Sequence, residues 1–496
     1  MRTPRSAQVL KATPFALFTA CVLIFANCGC APKAHFPIAF RASTPEISIP
    51  FATVTLPNGL TVWITKDSEL PLTRGTLYMP RGQFWERAED RGLTSAAMFL
   101  LRRGGTLNAS PEAREKYLQT HAFAFGTSSG EEYSTLSFEG LAPASDELLN
   151  FIGESIVAPG FDAEMLTLWK ENQLQAIQKR VFQPRAIGGA LFRELLYGGV
   201  PYGEPLTSAA ITRITPARVK QYYNRFFQPS GAILVISTDR EIESIKPLLN
   251  NAFGAWSAKV PAVDFPATAP RSAAPGIYFV PRSMAQAIIL VGQIGIDRKY
   301  PHQLASNTLN RIFGANSFDS RLFREIRTAR GLAYNISATI NPRLVQGPNL
   351  IQVATNADKT GILIDATLRE LAMLQKDGVT STELEKAKLA LSHNFILKRP
   401  SPFAALKRRA ARAILGYPNP DEYGFLKNLH KLSQQSVSEA ATLWRTRELL
   451  FVIVGNPIAA KSLAHEIKRK DSMLFELPFY QVDFTEKVDQ IRRLNF

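Results

Sequence analysis

Cysteine is almost missing. The chain has three, Cys21, Cys28 and Cys30, so nothing beyond residue 30 can form a disulfide, act as a thiol nucleophile or bind zinc through sulfur. Histidine is nearly as scarce. The six histidines are His35, His121, His302, His393, His430 and His465, and no two are a helical turn apart, so neither H-x-x-E-H nor H-E-x-x-H occurs. His121 and His393 read as structural histidines, and His465-Glu466 as a chance neighbour pair in a tail helix. The apolar run from Phe15 to Ala26 falls short of the ~20 residues that a bilayer-spanning helix needs. Acidic residues are outnumbered, 42 Asp and Glu against 58 Lys and Arg, for a net charge of +16. The basic residues are dispersed without interleaved aromatics, which speaks against nucleic acid as partner. The densest clusters, KRRAAR at Lys407–Arg412 and KRK at Lys468–Lys470, read as solvated helix faces, or more sharply as contacts for anionic lipid or an acidic partner.

What is present suffices for more than one packed core. At 496 residues with 46% apolar content, two domains of ordinary size are the natural expectation. The N-terminus reads as a secretory signal, with Arg2, Arg5 and Lys11 before the apolar run and small residues after it. In FANCGCAPK, Cys28 and Cys30 each resemble the lipid-modified cysteine of bacterial lipoproteins. The expected location is therefore the periplasmic side of a bacterial envelope, held by a lipid anchor, with secretion as the alternative.

The segment VTLPNGLTVWITKD, Val54 to Asp67, alternates about Asn58-Gly59, a strong hairpin signal. Strand-like YSTLSFEGL (Tyr133–Leu141) precedes helical stretches near Ser145–Ile156 and Asp162–Arg180. TPARVKQYYNRFF reads as a helix with Thr215 as N-cap and Pro216 at its first position, running into the buried strand GAILVIST. The second half repeats this order. GVTSTELEKAKLALSHNFILKR mirrors GFDAEMLTLWKENQLQAIQKR, and VSEAATLWRTRELLFVIVGN is again a helix feeding an apolar strand. The fold class is α+β, a duplicated α/β sandwich in which each domain has a mostly antiparallel sheet with helices on one face. The divisions are a leader at 1–30, a linker at 31–48, a first domain at 49–258, a Pro- and Ala-rich linker at 259–276, a second domain at 277–458 and a tail at 459–496.

From about Val54 to Asn456 these residues resemble the pitrilysin and insulinase family of zinc peptidases, in particular bacterial members similar to mitochondrial processing peptidase. The resemblance rests on LPNGLTV, GLTSAAMFLLRRGGT and, most specifically, SRLFREIRTARGLAY. It implies two such domains forming half of a clamshell. Active relatives carry G-L-x-H-x-x-E-H on a helix, where two imidazoles at i and i+4 bind zinc, the Glu polarises its water, and a later Glu completes the site. Aligned on Gly92-Leu93, this chain has Ser95 and Phe99 at the histidine positions, Met98 at the base and Ala176 at the distal ligand, while Trp169 replaces another acidic residue. None is suited to the metal. The resemblance thus implies a chain with no cofactor of its own, zinc being expected only in a partner.

The second half keeps what the first lost. Arg327 and Tyr334 stand where active relatives present an Arg and a Tyr to the substrate, to hydrogen-bond a peptide carbonyl and stabilise its oxyanion. Locally, Leu322, Phe323 and Ile326 form the packed stripe of a short helix, Gly331 ends it in a left-handed conformation, and Tyr334 opens an extended segment folding back beside it. On spacing alone, Arg321 and Arg327 could equally solvate a helix face. Two functions follow as expectations. One is the non-catalytic subunit of a two-chain zinc peptidase, pairing with a metal-bearing chain of the same family around unfolded peptide. The other is an inert peptide-binding or scaffold protein.

Overall fold

The apolar runs of the sequence become the central strands of two sheets, and these strands are covered on both faces. The computed structural model describes residues 50–257, 269–315, 318–420, 422 and 424–495. The leader with Cys28 and Cys30, the segment 31–48 and the first part of the 259–276 linker lie outside them.

The first sheet comprises β1 (Ala52–Thr55), β2 (Thr61–Lys66), β3 (Leu72–Met79), β4 (Ala124–Ser129), β5 (Ser134–Leu141) and β6 (Ile233–Thr238), in the order β1-β2-β6-β3-β5-β4. The second comprises β7 (Gly276–Pro281), β8 (Gln286–Ile294), β9 (Ile336–Ile340), β10 (Pro348–Asn356), β11 (Leu450–Gly455), β12 (Phe479–Phe484) and β13 (Val488–Leu494), in the order β13-β12-β7-β11-β8-β10-β9. Without β1 and the β12-β13 hairpin the two orders coincide strand for strand. In each, a parallel pair, β2 with β6 and β7 with β11, adjoins antiparallel strands, and in the second sheet β12 adds a further parallel pairing to β7. This is the duplication expected from the repeated segments. Its local signals hold too. Thr215 caps its helix by accepting from the Arg218 amide, with Pro216 following, and Gly59 takes φ +89° in the β1-β2 loop while Asn58 ties that loop to the Phe253 and Trp256 carbonyls. The segment before β11 differs from expectation. It is a short helix, Gln434–Glu439, broken into 3₁₀ turns.

Each sheet packs its own half's helices against one face, as the alternation requires. Val62, Ile64, Leu77, Leu234 and Ile236 point into the first core, and Ile277, Phe279, Ile289, Phe451 and Ile453 into the second. The opposite faces are covered as well, and here the expectation of helices on one face is extended. Tyr278, Val280, Leu290, Val452 and Val454 of the second sheet pack on Ile187, Leu191 and Leu195 of the Pro184–Leu196 helix, which belongs to the first half. Reciprocally, Trp63, Tyr78 and Val235 of the first sheet pack on Phe403, Leu406 and Ala410 of the Pro402–Ile414 helix from the second half. Each apolar side chain buried this way contributes roughly 1.5–3 kcal/mol. The basic cluster Lys407–Arg412 lies on this helix and is engaged rather than simply solvated. Arg409 lies over the Phe51 and Trp63 rings at 4.4 and 4.7 Å, and Arg408 and Arg412 converge on Glu422 with Arg399.

A buried carboxylate joins the halves at another point. Glu132, in the β4-β5 turn, accepts from Arg298, from the Tyr202 hydroxyl and, at 2.9 Å, from the Leu344 amide. The chain after residue 459 completes the Pro457–Lys468 helix and then supplies β12 and β13. The turn between these strands reaches back to the first half, where Glu486 caps the Ser208–Thr212 helix through the Ser208 amide at 2.7 Å.

Removing one exchanged side chain should be felt by the whole molecule. Leu406, fully buried against the other half's sheet, is expected to cost about 2–5 kcal/mol when changed to Ala. Urea unfolding followed by tryptophan fluorescence and by far-UV dichroism should show both signals moving to lower denaturant together; an unchanged midpoint would contradict the exchange.

Candidate functional site

The Leu93–Arg103 helix, which carries the positions of the lost zinc ligands, is fixed at its start by a carboxylate. Glu86, 1% exposed, accepts from the Thr94 amide at 2.7 Å, from the Gly92 amide at 3.1 Å and from Arg91 at 3.3 Å. It thereby satisfies donors that a helix start leaves open. Burial pushes this carboxyl above its usual range, and Arg91 with the two amides pulls it partly back. Gly92 sits at φ +97°, and a Cβ there would press on Leu206, Ile214 and Trp169, so both backbone and space call for glycine.

Along this helix Met98 is buried in the first core and Phe99 packs half-buried against it. Ser95 alone of the four positions lines a cleft of about 250 Å³, with Gln83, Arg91, Gln173, Arg180 and Arg193 among its other walls. Trp169, buried on the Ala163–Arg180 helix, donates its indole N–H to the Ser95 hydroxyl at 3.4 Å. On that helix Ile177 turns inward and its neighbour Ala176 lies at the surface. A hydroxyl, a thioether and two hydrocarbon side chains do not fit zinc, which takes imidazole, thiolate or carboxylate donors. Among the described residues no group of three His, Cys, Asp or Glu side chains could hold a metal.

The second-half motif folds as its residues dictate. Leu322, Phe323 and Ile326 are buried, and Gly331 takes φ +57° with its amide on the Arg327 carbonyl at 3.1 Å. The Leu332 amide reaches the Ile326 carbonyl at 2.8 Å, closing the turn. The short helix is a π-helix over Phe323–Ala329, a widened form that recurs at functional positions. Tyr334 follows two residues before β9, as expected. The guanidinium of Arg327 lies 4.6 Å from the centre of the Tyr334 ring, 4.6 Å from that of Phe323 and 5.9 Å from that of Phe318. Arg327 and Tyr334 are therefore neighbours, guanidinium against ring. Tyr334 is 81% exposed, and no hydrogen bond or carboxylate among the described residues occupies the Arg327 guanidinium. Arg321, by contrast, is structural: it grips Glu383 with two bonds of 2.8 and 2.7 Å and the Gly378 carbonyl with a third at 2.7 Å.

Sequence reasoning missed Glu86, Glu383 and Phe318. Glu383 had one usable signal, its position three residues after Thr380 in a capping box. The other two carry no motif.

Glu383 gives the motif an acid dependence. Burial alone would raise its pKa, but the bonds from Arg321 and Thr380 outweigh this and hold it at about 2, against an ordinary 4.5. The folded pKa is depressed, so the stabilisation is complete above about pH 4.5 and is lost as pH falls toward 2. Arg321→Ala should lower the unfolding midpoint at about pH 6, and the gap to wild type should narrow at about pH 3. A gap that does not change with pH would refute the assignment.

Residues 213–391 match the family profile described as the peptidase M16 inactive domain. The uncharacterized zinc protease YmxG of Bacillus subtilis is 21% identical over 73% of this chain and 87% of its own length. The non-peptidase homolog YmxG of Helicobacter pylori is 21% identical over 71% and 82%. The crystal structure of a peptidase M16 inactive domain from Pseudomonas fluorescens shares the fold with a TM-score of 0.74 at 21% identity, covering 82% of this chain and 98% of that one. Residues 213–391 are thus similar to the peptidase M16 inactive domain, and over most of its length the chain is similar to homologues named as zinc proteases and as a non-peptidase homolog, which fits the Ser95, Met98, Phe99 and Ala176 found at the zinc-site positions.

Proposed function

We propose that this chain is the non-catalytic subunit of a two-chain zinc metallopeptidase of the bacterial envelope. A metal-bearing chain of the same family would hold the zinc and perform hydrolysis. This chain would present Arg327 and Tyr334 to unfolded peptide enclosed between the two. The reading is carried by one asymmetry: the zinc-ligand positions are filled by Ser95, Met98, Phe99 and Ala176, while the Arg327 guanidinium, 4.6 Å from the centre of the Tyr334 ring, has no hydrogen bond among the described residues. A guanidinium and a phenol are donors suited to a carbonyl that becomes an oxyanion. The basic leader and Cys28 or Cys30 support an envelope location with a lipid anchor.

A second reading, an inert peptide-binding or scaffold protein, is favoured by the exposure of this same cluster on the single chain. It would require peptide affinity with no partner present.

Co-expression with a metal-bearing relative tests the first reading. A complex should form, and Arg327→Ala should leave assembly intact while lowering kcat/KM by about 10²–10³-fold, the usual size for losing one oxyanion donor. No complex, or unaltered activity, would sink it. Zinc analysis of the purified single chain should find no tightly held ion; about one per chain would show that a metal site exists after all.

A further inference from the structure

Strand β13 closes one end of the second sheet, and its outer edge is bare among the described residues. It pairs on one side only, with β12, and Asp489 to Leu494 are all exposed, Ile491 at 41% and Leu494 at 37%. An edge of this kind presents a row of backbone donors and acceptors to any strand that fits it. The other sheet edges, β1, β4 and β9, carry no charged side chain, whereas β13 carries Asp489, Arg492 and Arg493. Arg492 is taken up by Asp483 of β12 at 2.8 Å. Asp489 and Arg493 have no ion pair among the described residues. They stand four residues apart, about 13 Å along an extended strand, too far to meet within one chain. Asp489 is the residue at which the register against β12 slips, so it has no counterpart there. It lies near Glu194, whose carboxyl is pushed up by burial and further by Asp489.

We infer that β13 is a docking edge for a second copy of this chain, the two strands pairing antiparallel about Ile491 to make one continuous sheet. That register sets Asp489 of each copy against Arg493 of the other, Val488 against Leu494, and Ile491 against itself. Opposite charges and apolar side chains facing each other are the pairs that stabilise a sheet. Edge strands that stay single carry lysines or inward charges that repel a copy; here the facing charges attract. A slip of two residues keeps the faces matched but sets Lys487 against Arg493, or moves Asp489 opposite Asn495. The strand after Tyr334, β9, lies at the other end of the sheet. A copy docked at β13 therefore leaves that side open, and the inference does not depend on the peptide-facing role. A ladder of 7 residues is small beside the roughly 1,200–2,000 Å² that a stable interface buries. The dimer is accordingly weak, with a Kd on the order of 10–100 µM.

Sedimentation velocity on the purified full chain, across about 1–200 µM to bracket that constant, should show the mass rising from monomer to dimer. Asp489→Arg alone and Arg493→Asp alone each put like charges opposite one another and should weaken association about tenfold or more. Mixing these two variants should restore it, because every facing charge in the mixed pair is again opposite. The double variant, Asp489→Arg with Arg493→Asp, should associate like wild type. Misfolded chains would not be rescued by mixing, so recovery separates a lost contact from a lost fold. A wild type that stays monomeric over this range, single variants that associate as wild type does, or a mixture no tighter than its components would each overturn the inference.

Discussion

The molecule is held as one body by an exchange of helices between its halves. A sheet whose strands are apolar on both faces must hide both. Each half's own helices reach only one. Trp63, Tyr78 and Val235 of the first sheet are closed off by Phe403, Leu406 and Ala410, and the second sheet's Tyr278, Leu290 and Val452 by Ile187 and Leu191. Two copies of one unit thereby complete each other's cores. The Glu132 carboxylate, received by Arg298 and the Leu344 amide, adds a polar fixing point away from these faces.

This arrangement lets one half lose chemistry without losing shape. The Leu93–Arg103 helix needs an apolar inner face and a carboxylate at its start, and Leu93, Ala97, Leu100 and Glu86 supply them. Of the positions that hold the zinc machinery in active relatives, Met98 and Phe99 pack on the core and Ser95 bonds to the Trp169 indole. The second-half motif obeys a different constraint. Arg321 and Glu383 lock its backbone, leaving Arg327 available above the rings of Phe323 and Tyr334. Rigid support beneath a donor with no hydrogen bond among the described residues is what preorganised recognition requires.

Features set by neighbouring residues were legible in the sequence. Thr215-Pro216, Asn58-Gly59 and Gly331 each specify a local geometry through a cap, a turn or a left-handed residue, and each is found as expected. The duplicated sheets were legible too, because strand order repeats with the apolar runs. The helix exchange was not. An apolar stripe on Pro184–Leu196 says that the helix packs, but it does not say on which sheet. The same holds for Glu132, whose partners Arg298 and Leu344 lie in the other half, and for the KRRAAR cluster, where aromatic rings and Glu422 turn a seemingly solvated face into a contact. At the site, the nearness of Arg327 and Tyr334 follows from a short turn, whereas Phe318 belongs to no pattern, and only its exposure singles it out.

The exchange also sets a sequence of events during biosynthesis. The first sheet precedes in sequence the Pro402–Ile414 helix that shields Trp63, Tyr78 and Val235, so that face stays open until the helix is in place. For that interval the nascent protein carries an open aromatic surface, the kind that chaperones bind and that stray chains stick to. Its last safeguard against misassembly therefore arrives late, with the helix that its own second half delivers.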